Sequence, residues 1–144
     1  MPLVLTDPID TQEKLRAILP AKSGNASLKD IDHINDVAAA FIARSPFIVI
    51  SSAGVNDQHD VSPKGDAPGF VQVHDEKTLL IPDRLGNQRL DTFENILVDD
   101  RVGLLFMIPD HKDTLRIAGR GRIAADESLR SRFQVNGRIP DLVL

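Results

Sequence analysis

The chain reads as a mainly β protein with flanking helices, built as a small antiparallel barrel, and three features predict this. From Phe47 onward, apolar or β-branched runs recur at Phe47–Ser52, Thr78–Ile81, Val102–Ile108 and Thr114–Ala125. Residues of turn character, Gly, Pro, Asp and Asn, separate them. One helical stretch interrupts the series, with Leu90, Phe93, Ile96 and Leu97 at three- and four-residue spacing. Closure into a barrel is the common way for such strands to remove their edges.

The elements follow in order. Asp10 to Leu19 predicts a short helix capped by Asp10 or Thr11 and stopped by Pro20. Lys22–Ala26 is a connector, and Ser27 with Asp30 has capping-box spacing for a second helix. Its stripe is Ile31, Ile34, Val37, Ala38, Phe41 and Ile42, and Ser45-Pro46 ends it. Phe47–Ser52 and Gln58–Ser62 then read as a hairpin around Ala53–Asp57. Thr78–Ile81 is a third strand, 87–98 holds the inserted helix, and Val102–Ile108 is a strand ended by Pro109. Thr114–Ala125 is a longer strand whose Gly119 and Gly121 mark a bulge, a bend or a close backbone approach. Asp126 caps a short helix to Phe133, and the tail ends in the apolar Leu142-Val143-Leu144, which reads as the start of a strand. The expected organisation is one domain over 1–144, with helices in 1–45, barrel strands in 46–125, and a helix and tail in 126–144.

Composition narrows the function classes. With 144 residues, 42% hydrophobic and 26% charged, the chain suits one soluble globular domain. A net charge of −4 and the lack of a basic stripe argue against nucleic-acid binding. No apolar run is long enough to span a bilayer, and the N-terminus lacks the pattern of a secretory signal, so a cytoplasmic protein without a membrane partner is expected. Without cysteine there is no disulfide or thiolate chemistry. Without Trp or Tyr, a flat ligand would lie against Phe, aliphatic side chains or backbone. His33, His59, His74 and His111 are scattered without metal-site spacing, so no metal is expected and they read as surface residues. His59 and His74 flank the candidate site region. Ser51, Ser52 and Ser62 lie in no nucleophile-elbow pattern. Asp99 and Asp100 suit a turn, and no dinucleotide fingerprint opens a helix.

The informative pair of segments is Asp60–Asp66 and Ile81–Asp91, read as two glycine-bearing polar turns that each carry a cation. Freed backbone N–H groups and a guanidinium suit a phosphate-bearing cofactor. The second segment runs into the inserted helix, whose N-terminus is electropositive. Asp91 and Glu94 oppose an anion there, so Arg84 and Arg89 must outweigh them. Arg89 can serve as phosphate ligand or as a surface cation paired with Asp83 or Glu94, and Lys64 can lie beside a ligand or decorate a turn. Arg116, on a strand, needs a partner if it faces inward.

Taken in order, Phe41–Phe47, Asp60–Asp66, Pro68-Gly69-Phe70, Leu80–Asp83, Gly86–Asp91, Gly103–Phe106 and Thr114–Gly119 resemble the pyridoxamine 5'-phosphate oxidase-like FMN-binding proteins. The likeness is to the bacterial branch known as probable FMN-dependent enzymes. It implies a split β-barrel that forms a homodimer with one FMN in each of two clefts between subunits, and an oxidoreductase acting with a small-molecule substrate or electron donor. By position it implies that Val61, Ser62, Pro63 and Lys64 line the flavin, that Ile81, Pro82 and Asp83 flank the ribityl chain, and that Asn87, Gln88 and Arg89 form the phosphate turn. Thr114 and Arg116 fall on the strand that reaches the cofactor. Two departures stand out. Asp60 and Lys64-Gly65 occupy the places where true oxidases carry an arginine and a lysine, and the chain stops where the family continues. Vitamin B6 oxidation is therefore not the expected reaction, and a barrel short of its last segment is one expectation. The alternatives are a non-catalytic flavin- or haem-binding module and a scaffold that no longer holds the cofactor.

Overall fold

The computed structural model describes residues 1–20, 30–84, 86 and 89–144. Two compact units divide the chain, Met1–Asp32 and His33–Leu144. In the first, α1 (Gln12–Ile18) starts where Thr11 accepts a hydrogen bond from the Lys14 N–H, and Lys14 pairs with Asp10 at 2.8 Å. Leu15, Ile18 and Leu19 of this segment are exposed. The Lys22–Ala26 connector and Ser27 lie outside the described residues.

The second unit opens with α2 (Asp36–Arg44), a shorter helix than the apolar stripe predicts. The reason is local. Asn35 accepts the Ala38 N–H at 2.9 Å and so caps the helix there. Ile34 instead donates its N–H to Glu76 O at 2.7 Å. Ile31 and Ile34 therefore precede the helix.

A four-stranded antiparallel sheet follows, in the order β2-β1-β5-β6. Its strands are β1 (Phe47–Ala53), β2 (His59–Gly65), β5 (Arg101–Met107) and β6 (Thr114–Arg120), and the short ribbon of β3 (Gln72–Asp75) with β4 (Thr78–Leu80) stands apart. The sheets do not close into one ring, which is the split form of the barrel. Register sets the faces. Ile48 and Ile50 of β1 stand opposite Phe106 and Leu104 of β5, and these opposite Leu115 and Ile117 of β6, so the inner face is an apolar lattice. Phe70, Val71 and Ile81 complete this core with Ile42 of α2. Ser45, 1% exposed, ends α2 and stitches it to the sheet, its Oγ lying 2.8 Å from Phe47 O and 2.7 Å from Met107 O.

Two expected boundaries move. Asp60–Gly65, expected as a turn, is strand, and it accommodates Pro63 because β2 is an edge strand. The turn falls later, where Asp66 accepts the Ala67 N–H and Gly69 takes φ +82°. The last strand ends at Arg120 instead of Ala125. At Gly121 the chain meets another layer, and a Cβ there would lie 3.0 Å from Ile96 Cδ1 and 3.2 Å from Leu144 Cδ1. The chain then crosses to Ala124, which bridges to Val143.

α3 (Asp91–Val98) covers the inner side of β1 and β2, burying Thr92, Phe93 and Ile96. Past the sheet come α4 (Glu127–Arg130) and a 3-10 turn over Ser131–Phe133. Phe133, Leu80 and Val143 form a second small core. The tail is paired antiparallel with Ile81–Asp83, with Ile81 N–H to Leu144 O at 2.8 Å and Asp83 N–H to Leu142 O at 3.0 Å.

Phe106, fully buried in the central pair of strands, is the most exacting test of this packing. Phe106→Ala is expected to cost about 3–5 kcal/mol in urea unfolding. Leu97→Ala, at a position 78% exposed, is expected to change stability by less than about 0.5 kcal/mol. Equal losses would contradict the assigned inner face.

Candidate functional site

The alternation of β2 places Asp60, Ser62 and Lys64 on the inner side, opposite Ser52, Ile50 and Ile48. His59, Val61 and Pro63 point to the outer side. An ammonium turned inward must find a partner. Lys64 Nζ lies 3.6 Å from Asp83 Oδ1 and 5.4 Å from the Phe93 ring centroid, so a carboxylate and an aromatic face hold it together. About a fifth of the Lys64 side chain and a quarter of that of Asp83 remain exposed.

Asp83 is delivered to this position by its backbone. Ile81 is 4% exposed, Pro82 is fully buried, and both lie against the tail. Their side chains anchor the segment in the core. Arg84 then reaches back, with Nε to Asp66 Oδ2 at 2.6 Å and a second guanidinium nitrogen to Phe133 O at 2.7 Å. The Lys64–Asp83 and Asp66–Arg84 pairs thus link the two motif segments, each segment contributing one cation and one anion.

The segment beyond Arg84 leads to α3. Gly86 is exposed, and Leu85, Asn87 and Gln88 lie outside the described residues. Arg89 is well exposed, with Nε 3.5 Å from Asp91 Oδ2. Leu90 occupies the N-cap position of α3 and provides no side-chain hydrogen bond to the first turn. Phe93, which carries Lys64 on its face, belongs to that same first turn.

Thr114 and Arg116 lie elsewhere. They are exposed on the outer face, opposite Met107 and Leu105. Pro63, Val49, Leu105 and Arg116 form one row across the sheet, which puts Pro63 and Arg116 on opposite edges, about 14 Å apart by strand spacing. One chain therefore gathers Ser62, Lys64 and Asp83 on the inner side and leaves Val61, Pro63, Thr114 and Arg116 on the outer one.

Three further polar features belong to the picture. Asp60 Oδ2 is buried without a hydrogen-bond partner. Asn95 of α3 donates to Ser52 Oγ at 3.0 Å, tying the helix to β1. At the turn after α3, Asp99 pairs with Arg101 and Asp100 with Arg120. The hydrogen bonds from Arg101 lower the Asp99 carboxyl to about 2. Of the histidines near the site region, His59 is exposed and His74 Nδ1 lies 3.2 Å from an Arg132 guanidinium nitrogen. Among the described residues no cluster of three or more His, Cys, Asp or Glu could hold a metal, and no helix is long and apolar enough to cross a membrane. Sequence reasoning singled out Arg84 only as a cation for phosphate, and it missed Asp66 and Phe93. The signal for the first two was the charge order, Lys64 and Asp66 facing Asp83 and Arg84.

Against known proteins, residues 34–142 match the family model described as pyridoxamine 5'-phosphate oxidase. The fold is similar to that of HupZ from Group A Streptococcus, with a TM-score of 0.62 at 18% identity over 76% of this chain and 85% of that one. A second HupZ structure, of a single-substitution variant, gives 0.61 at 18% identity over 76% and 90%. A candidate pyridoxamine 5'-phosphate oxidase from Lactobacillus delbrueckii gives 0.60 at 13% identity over 80% and 88%. No curated protein matches the chain.

If Arg84 locks the two segments together, Arg84→Ala is expected to lower unfolding free energy by about 1.5–3 kcal/mol, the range for hydrogen bonds to charged groups. Arg84→Lys should recover little of it, because an ammonium lacks the fork that meets Asp66 and Phe133 O at once. A loss below about 0.5 kcal/mol for the alanine variant in urea unfolding would contradict the locking role.

Proposed function

The chain belongs to the pyridoxamine 5'-phosphate oxidase family, and on that premise we propose that it is an FMN-binding oxidoreductase that works as a homodimer on a small-molecule substrate. The observation that carries the reading is the meeting of Lys64 with the first turn of α3. A half-buried ammonium stands over Phe93, beside a helix start that no side chain caps, and Arg89 immediately precedes that start. Uncapped N–H groups and nearby cations suit a phosphate monoester.

The residues fit the cofactor in two respects. Arg89, with Asn87 and Gln88 of the same segment, would hold the phosphate, and Lys64 would stand between phosphate and ring. Ser62 and the free edge of β2 would offer polar groups to the flavin rim, with Asp83 flanking the ribityl chain. When bound, the flavin supplies the acceptor and donor of electrons. The protein's part is to bind it, orient it and keep water away. Vitamin B6 phosphate as substrate is not favoured, since Asp60 occupies the place of an arginine.

A second copy of the chain accounts for Thr114 and Arg116. The outer face of the sheet carries Phe47, Val49, Val61, Leu105 and Met107, with Val61 66% and Phe47 38% exposed. An apolar face of this kind suits burial against a partner. In such a dimer the outer-face residues of one subunit can approach a cofactor seated in the other. A second reading, a module that holds a flavin or haem without turnover, draws on the pairing already present. Lys64 and Arg84 are each engaged by a carboxylate of the chain, which makes the site self-satisfied.

Purified protein titrated with FMN is expected to quench flavin fluorescence with one FMN per subunit at the size of a dimer. Arg89→Ala should weaken binding about tenfold or more, as loss of a charge-assisted phosphate contact predicts. Reduction of the bound flavin with repeated turnover by a nicotinamide donor supports the enzyme, whereas binding without turnover favours the module. No binding of FMN by the dimer would overturn the proposal.

A further inference from the structure

A groove of about 370 Å³ opens at the end of the sheet where β5 turns into β6, lined by Phe47, Met107, Ile108, Pro109, His111, Asp113 and Thr114. Its size falls in the range of small-ligand sites. Phe47, Met107 and Thr114 share one row of the outer face, so the floor is a continuation of the sheet. Four of the lining residues are apolar, and the polar ones are gathered at the β5–β6 connection.

His111 is oriented in this groove by two contacts. Its ring meets Phe41 edge to face, with centroids 5.7 Å apart at 87°. Its Nδ1 accepts the backbone N–H of Asp113 at 3.2 Å. An acceptor at Nδ1 fixes the neutral tautomer with the proton on Nε2. The ring therefore offers one N–H donor, and the Thr114 hydroxyl can offer another. No lysine or arginine is among the lining residues, and Asp113 places a carboxylate at the rim. Such a lining accepts a flat apolar ring with hydrogen-bond acceptors and disfavours a negatively charged one.

The geometry points to a binding site for a neutral, planar, carbonyl-bearing ring, with His111 Nε2–H as the donor to the ring carbonyl. This goes beyond the flavin reading and does not depend on it. A phosphate-bearing cofactor has its cations at Lys64 and Arg89, whereas this groove has none. It opens beside the sheet face assigned above to a second copy, so the size of the protein is recorded on the sample used.

The test is an amide NMR titration of the full chain with 1,4-naphthoquinone and, separately, with its anionic 2-sulfonate. The chain has no cysteine, so the quinone meets no thiol to alkylate. The neutral probe is expected to shift the signals of Phe47, Met107, His111 and Thr114 in a saturable way, and the sulfonate to bind at least about tenfold more weakly. His111→Phe keeps a ring against Phe41 and deletes the donor, and it should weaken the neutral probe about threefold to tenfold. His111→Gln restores an N–H donor and should stay within about threefold of the parent. Absence of saturable shifts at these residues, equal binding of the sulfonate, or an unchanged affinity in His111→Phe would each overturn the proposal. Displacement of the probe by FMN would overturn it as a site separate from the flavin's. Failure of FMN to bind, seen in the flavin titration, leaves these outcomes unaffected.

Discussion

Two carbonyls of the C-terminal tail, Leu142 O and Leu144 O, accept the N–H groups of Asp83 and Ile81, and the position of the candidate site follows from that short ladder. Residues 81–84 leave β4 and have no other strand beside them in the sheet order. Without the tail, their backbone polar groups would be buried next to Phe133 and Val143 with nothing to bind. Such groups cost free energy comparable to a lost hydrogen bond. Val143 is also paired in both directions with Ala124, so the same three residues join the end of β4 to the chain leaving β6.

On that backbone the charged side chains take their places. Lys64 and Asp66 come from β2 and the turn after it, and Asp83 and Arg84 come from the clasped segment. All four are partly shielded, so each charge needs its partner more than a surface ion would. Phe93 adds an aromatic face and makes Lys64 part of the packing between α3 and the sheet. The result is a rigid polar seam at the margin of an apolar core. Asp60 Oδ2, buried in the same layer without a partner, is the one polar atom of this seam left unsatisfied among the described residues.

Much of the fold was legible from residue pattern because the strands are strongly apolar and their ends carry Pro, Gly and Asp. β1 and β5 fall within a residue of the runs that predict them. Alternation failed at β2, where Pro63 and three polar inward positions look like a turn and the edge location supplies the explanation. β3 was hidden for a similar reason, its four residues being half polar. The start of α2 was misread because an apolar stripe at Ile31 and Ile34 continues the helical spacing, while Asn35 decides the cap. Likewise the close approach at Gly121, which ends β6 early, depends on Ile96 and Leu144 from distant parts of the chain. At the site, sequence order supplied the segments and the cations. It could not reveal that Arg84 is spent on Asp66 and Phe133, or that Thr114 and Arg116 face away from Lys64, because both depend on register and on the path of the tail.

The claim that the tail ladder positions the site is tested most directly by native-state hydrogen exchange at the Ile81 and Asp83 amides. The account predicts that both exchange as slowly as the amides of the central strands, since opening them requires the tail to leave Val143's buried position. Exchange at the rate of an exposed loop, with the β1 and β5 amides still protected, would contradict it.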